Sequence, residues 1–300
     1  MLLRAASILF LLACVLAPCA DAQTVEGPRV RVAVLDFGQT ETGQRAAQAL
    51  AVGINVEGFA LVDRGLSRDA ARGTGYAGSL NLTLREARDL GAAIDCDFFI
   101  TGDAQTLRRS PSEGAAYFES YVSIFIVSAH TGRLVSWSRP SQEAATHEAA
   151  EKALLEEVRR LAFECRRNIL RWQEDERARL RVRESARGET NVIEDAPEEG
   201  SPAAASYREP APYRRLRPTY TDEAARAGAE ATVDVTVEVG ADGEAGRIEV
   251  VRWAGFGLDE AVVSTVRQMH FRPATRDGQP FPVRILLRYN FRAPKKNSER

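Results

Sequence analysis

FRPATRDGQPFPVRILLRYNF, residues 271–291, ends in a run with a period of two. Val283, Ile285, Leu287, Tyr289 and Phe291 alternate with Arg284, Leu286, Arg288 and Asn290, after a turn-rich stretch holding Pro273, Asp277, Gly278 and Pro280. Such alternation turns one apolar face to a core and the other to solvent, which is a half-buried strand. A strand needs partners, and they lie just upstream. Val233, Val235, Val237 and Val239 alternate in the same way, residues 240–243 (GADG) make a tight turn, and residues 248–253 return as the second arm of a hairpin. Gly255 and Gly257 then break the strand, and Leu258, Ala261, Val262, Val266 and Met269 recur at helical spacing. From residue 213 onward the chain therefore reads as a small β-β-α-β unit.

Residues 30–137 follow another grammar, in which short strands alternate with helices. Residues 30–37 (VRVAVLDF) read as a strand, 42–54 as an alanine-rich helix and 59–63 as a strand. Thr83 with Glu86 three positions on is a capping box, which predicts a helix over 84–93 and then a strand over 97–102. Runs at 116–127 and 133–138 flank AHTG at 129–132 and read as a hairpin closing the same sheet. Leu154, Val158, Leu161, Cys165, Ile169 and Trp172 then give a long helix one apolar face. The segment from about 176 to 212 is rich in Ala, Pro, Glu and Arg and has too little apolar material for a core. It reads as a solvated linker, helical in its first third. The expected fold is thus a two-domain α+β and α/β chain: a mixed sheet with helices over 23–175, the linker over 176–212, and the β-β-α-β unit over 213–300. A length of 300 residues suits two cores.

Arg4, the apolar residues 5–17 and the small-x-small site Ala20-Asp21-Ala22 predict a signal peptide over 1–22, with a mature start at Gln23. Two alternatives stand beside that reading. The apolar run is retained as a membrane anchor, or Leu11-Leu12-Ala13-Cys14 serves as a lipoprotein box, although the run continues past Cys14. Of four cysteines, Cys96 and Cys165 would stay in an exported chain, where a disulfide between them is one reading and two core thiols the other. A net charge of -2, from 40 basic and 42 acidic residues, supplies no field to draw in nucleic acid or an anionic membrane.

Local signatures of chemistry are thin. His130, His147 and His270 are scattered, and only His147 has carboxylates at helical spacing, Glu143 and Glu151, without a second His or Cys. Gly73, Gly75 and Gly78 fit Gly-x-Gly-x-x-Gly, but no strand leads directly in and no helix opens directly after, so the segment reads as a surface loop. No Gly-flanked nucleophile is present. The expectation is a protein that is not an enzyme and takes no cofactor and no metal.

Pro218-Thr219-Tyr220, the valine strand, Asp242-Gly243, Gly257-Leu258-Asp259-Glu260-Ala261, Phe271-Arg272-Pro273-Ala274 and Gly278-Gln279-Pro280 form an ordered set over most of residues 213–292. In that order they resemble the TonB C-terminal domain. Thr221 stands where that family usually has proline, and Ala231 where it often has glycine. Resemblance implies that a peptide from an outer-membrane transporter adds to a sheet edge, which makes Val283–Phe291 the docking strand. Arg284 and Arg288 would then select partners, or simply protect the edge from aggregation. A proline at Leu287 is the substitution expected to destroy that edge.

In the first domain, residues 32–37, Leu61-Val62-Asp63-Arg64, Leu90-Gly91-Ala92, 98–102 and 131–137 carry a looser resemblance, to the domain shared by the TolB amino-terminal region and the curli-assembly lipoprotein CsgG. It implies an envelope binding domain without chemistry, with Asp63 and Arg64 either a strand-end feature or a partner-facing ion pair. Together the two resemblances imply an exported periplasmic adaptor with a protein partner in the outer membrane or elsewhere in the envelope. The alternative is a TonB-type energy transducer anchored in the inner membrane. Against it stand the cleavage signal, an N-terminal segment without histidine, and a linker without a long proline-rich spacer.

Overall fold

The computed structural model describes residues 29–111, 114–185, 193–197 and 205–293; the signal segment predicted over 1–22 lies outside them. The first unit runs β1 (Val30–Phe37), α1 (Glu41–Ile54), β2 (Phe59–Leu61), α2 (Arg64–Gly73), α3 (Leu84–Ile94), β3 (Phe98–Arg109), β4 (Tyr117–Ser128), β5 (Leu134–Ser138), β6 (Ser141–Ala144) and α4 (His147–Ser185). Its strands order as β2-β1-β3-β4-β5, with β6 paired to the early part of β4. The β2, β1 and β3 neighbours are parallel, and β3, β4 and β5 antiparallel, which is the mixed sheet expected.

Successive residues of these strands feed opposite faces. Val32, Val34, Phe98, Ile100, Ile124 and Ile126 pack with α1 and with Leu154, Val158, Cys165 and Ile169 of α4. Ala33, Leu35, Phe99, Phe125 and Val127 face the other way, toward α2, α3 and the second unit. The capping box forms as read: Thr83 accepts from the Glu86 N–H, and Glu86 accepts from the Thr83 N–H.

Cys96 and Cys165 are both free and buried, which corrects the disulfide reading. Cys96 belongs to the cluster shared with the second unit and Cys165 to the α1–α4 cluster, so the sheet separates them. Burial pushes each thiol up to about 12, away from the reactive thiolate.

The second unit comprises β7 (Glu194–Asp195), β8 (Tyr207–Arg208), β9 (Ala211–Pro212), α5 (Asp222–Ala227), β10 (Ala231–Val239), β11 (Ala245–Arg252), α6 (Leu258–Arg267), β12 (Phe271–Arg272), β13 (Ala274–Arg276), β14 (Gln279–Phe281) and β15 (Val283–Phe291). Its main sheet orders β11-β10-β15-β7, with α6 on one face. The expected β-β-α-β order is present as β10, β11, α6 and β15. The later part of the expected linker is woven into this unit, because β8 pairs with β13 and β9 with β12.

The two sheets share one core. Trp253 stacks on Phe125 with centroids 5.9 Å apart, and Phe256 sits 5.4 Å from Phe125 and 5.5 Å from Trp137. The Trp253 Nε1–H also donates to the Gly132 carbonyl at 3.0 Å. Helices α2 and α3 leave part of the first sheet uncovered, and the turn after β11 fills the gap. Gly255 makes that possible: its φ is +71°, and a Cβ there would collide with the Phe125 ring.

Asn81 fastens the same junction. Its amide donates to the carbonyls of Thr232 at 2.8 Å and Trp253 at 2.6 Å, and its oxygen accepts from the Thr232 N–H at 3.0 Å. The side chain thus acts as one more residue of strand beside β10. Asn81→Ala is expected to cost about 1–3 kcal/mol in urea unfolding, because it strands partly buried backbone groups. An unchanged unfolding midpoint would count against this role.

Candidate functional site

Every residue of β15 is in antiparallel register with β10, from Val283 opposite Val239 to Phe291 opposite Ala231. On its other side β15 meets, among the described strands, only β7, at Val283 and Arg284. The Ala196 N–H donates to the Arg284 carbonyl at 3.4 Å, so Arg284 turns its backbone outward. With a period of two, Leu286, Arg288 and Asn290 do the same, and no described strand lies beyond them. Those residues carry the free N–H and C=O groups of the edge.

The side chains sort accordingly. Val283 and Phe291 are buried, and Ile285, Leu287 and Tyr289 pack on the shared core. Leu286 is 55% exposed, with an apolar side chain beside the open backbone. The two arginines are engaged within the sheet. Arg288 holds Asp234 through two hydrogen bonds of 2.7 and 3.0 Å, and Asp234, itself 3% exposed, also accepts from Arg252 at 3.3 Å. Arg284 reaches Glu238 at 3.1 Å and Asp195 at 3.3 Å. These bonds to Asp234 and Glu238 hold both guanidiniums above their ordinary value. Asn290 accepts from the Thr232 hydroxyl at 2.8 Å.

Other residues singled out in the sequence have local duties. Asp63 caps α2 by accepting from the Leu66 N–H at 2.9 Å, while Arg64 pairs with Asp36 at 2.9 Å, so the two do not pair with each other. Burial alone would raise the Asp36 carboxyl, but Arg68 and Arg64 together bring it below the usual range. His130 lies 3.2 Å from Asp97 and His270 2.9 Å from Glu244, and His147 meets the edge of the Phe118 ring. The glycine-rich segment begins at the end of α2, and the Tyr76 hydroxyl inside it bonds Thr101 at 2.7 Å. Thr221, the departure from the family's proline, caps α5 and donates to the Phe256 carbonyl at 2.5 Å.

Sequence reasoning missed β7. Two acidic residues inside a charged segment show no period, and the only hint is the apolar pair Val192-Ile193 just before them.

Among solved structures, a hypothetical protein from Chlamydia trachomatis is 7% identical, with 45% of this chain and 98% of that one covered at a TM-score of 0.31. A lipoprotein from Neisseria meningitidis is 9% identical, covering 40% and 85% at 0.30. The LpoB protein of E. coli is 12% identical, covering 39% and 57% at 0.28. Likeness at that level carries no argument. No curated protein matches the chain. No described helix is long and apolar enough to cross a membrane. Residues 217–293, which hold β10, β11, α6 and β15, match the Gram-negative bacterial TonB protein C-terminal family, a match that points to protein interaction in the cell envelope.

Proposed function

We propose that the chain is a non-enzymatic, exported envelope adaptor whose last strand accepts an extended segment of an outer-membrane transporter or another envelope protein. One observation carries the reading: the outward backbone of Leu286, Arg288 and Asn290 is open in a unit that matches the TonB C-terminal family. Main-chain bonds would supply affinity, and Leu286 would supply an apolar contact. Selection by Arg288 becomes secondary, since it is already held by Asp234 of β10, whereas Arg284 reaches a carboxylate beyond the ladder, Asp195, as well as Glu238. The first domain's resemblance to the TolB and CsgG domain agrees with the same compartment. Anchored energy transduction turns on the N-terminal residues, and N-terminal sequencing of the cellular protein decides it: a start at Gln23 supports the adaptor.

The structure also picks the substitution that tests the edge. Leu287 directs its N–H toward β10, so proline there breaks the internal ladder. Leu286→Pro removes an outward N–H instead. Capture of outer-membrane proteins from an envelope extract is expected to fall about tenfold or more with Leu286→Pro, while the melting temperature stays near that of the parent. Undiminished capture by a folded Leu286→Pro chain would falsify strand addition.

A further inference from the structure

The docking edge is already occupied at its first two positions by the chain itself. Strand β7 lies parallel to β15, with Glu194 opposite Val283 and Asp195 opposite Arg284. Besides the Ala196 hydrogen bond, ion pairs hold it: Arg276 to Glu194 at 2.6 Å and Arg284 to Asp195 at 3.3 Å. Glu194 and Asp195 are exposed to water and the two arginines only half-buried, so neither pair is strong. A pairing of only two residues adds little more. The attachment is specific in register and weak in energy. In that direction a strand entering at Val283 continues along Leu286, Arg288 and Asn290, but the chain's own segment turns to Pro197 and stops pairing.

We infer that residues 193–197 are a built-in occupant of the partner edge, displaced by an extended acidic segment that runs parallel to β15 and sets carboxylates against Arg276 and Arg284. The inference rests on the strand-addition reading. Its chemistry follows from the occupant: Glu194 and Asp195 show which charges the entrance to the edge receives. As a tethered segment, the occupant acts at an effective concentration on the order of millimolar, so a weak contact still screens the edge from weak ligands. A partner succeeds by reaching further, to the backbone groups that the occupant leaves open.

The test uses the full chain and its Glu194→Lys/Asp195→Lys variant, in which β7 would meet Arg276 and Arg284 with like charge. The Ala196 amide, which donates to the Arg284 carbonyl, should exchange its hydrogen faster in the variant. A labelled synthetic peptide of residues 190–198, titrated to millimolar concentration, should bind the variant about tenfold more tightly than the parent, because the tethered competitor is gone. The same peptide with both acids changed to lysine should bind neither. Equal peptide affinity for the two proteins, or no difference in exchange at Ala196, overturns the inference. Envelope capture separates the two readings. Capture that is lost with Leu286→Pro but unaltered by the lysine pair leaves strand addition standing and removes the occupant's role. Capture indifferent to Leu286→Pro removes both.

Discussion

Trp253→Ala is expected to lower the unfolding free energy by about 3–5 kcal/mol, the usual range for truncating a buried tryptophan. Trp253 is 1% exposed, stacks on Phe125 from the first sheet and donates to the Gly132 carbonyl. Truncation removes apolar contact from both units at once, so both sheets should lose protection in hydrogen exchange. Trp253→Phe keeps most of the ring contact and loses the N–H bond, which should cost about 1 kcal/mol. The contrast separates packing from the hydrogen bond. A Trp253→Ala chain as stable as the Phe variant would contradict a core shared through this residue.

A second large effect concerns Asp259. Its carboxyl lies in the junction, 8% exposed, and accepts from the backbone N–H groups of Ala254 at 2.9 Å and Gly255 at 2.8 Å. Burial pushes it up to about 7, with neighbouring Glu260 adding to the rise, although the two N–H donors pull the other way. A carboxyl that titrates higher folded than unfolded favours folding while protonated. Its contribution is full below about pH 4, the unfolded value, and is lost as the pH rises to about 7. At about 1.4 kcal/mol per pKa unit, the loss across that window is on the order of 4 kcal/mol. Urea unfolding across this range should show the decline, and Asp259→Asn, which cannot ionise, should flatten it whatever it does to absolute stability. Identical slopes for the two proteins would exclude Asp259 as the source.

Regular periods made most of the architecture legible. Strand β15, the β10–β11 hairpin, the β4–β5 hairpin, the capped α3 and the stripe of α4 each repeat a residue type often enough to show a face. What escaped has no period. Helix α2 buries only Ser67 and Ala71 and carries Gly65 and Gly73, which in sequence look like breakers. Phe256, held at a φ of +54° between two glycines, reads as part of a turn, yet it fills the junction between Phe125 and Trp137. Asn81 and β7 act through a few side chains and a two-residue pairing, whose partners are more than eighty residues away. The candidate site was legible as a strand. Which half of its backbone faces outward, and what already sits there, depended on long-range pairing.

The ladder between β10 and β15 has a mechanical consequence. A pull transmitted along β15 loads its nine antiparallel positions in shear, so neighbouring bonds share the force and do not unzip one at a time. Trp253, Phe256 and Asn81 then carry that force sideways into the first sheet. A pull on β15 is therefore shared by both sheets and is not confined to the small unit that bears it.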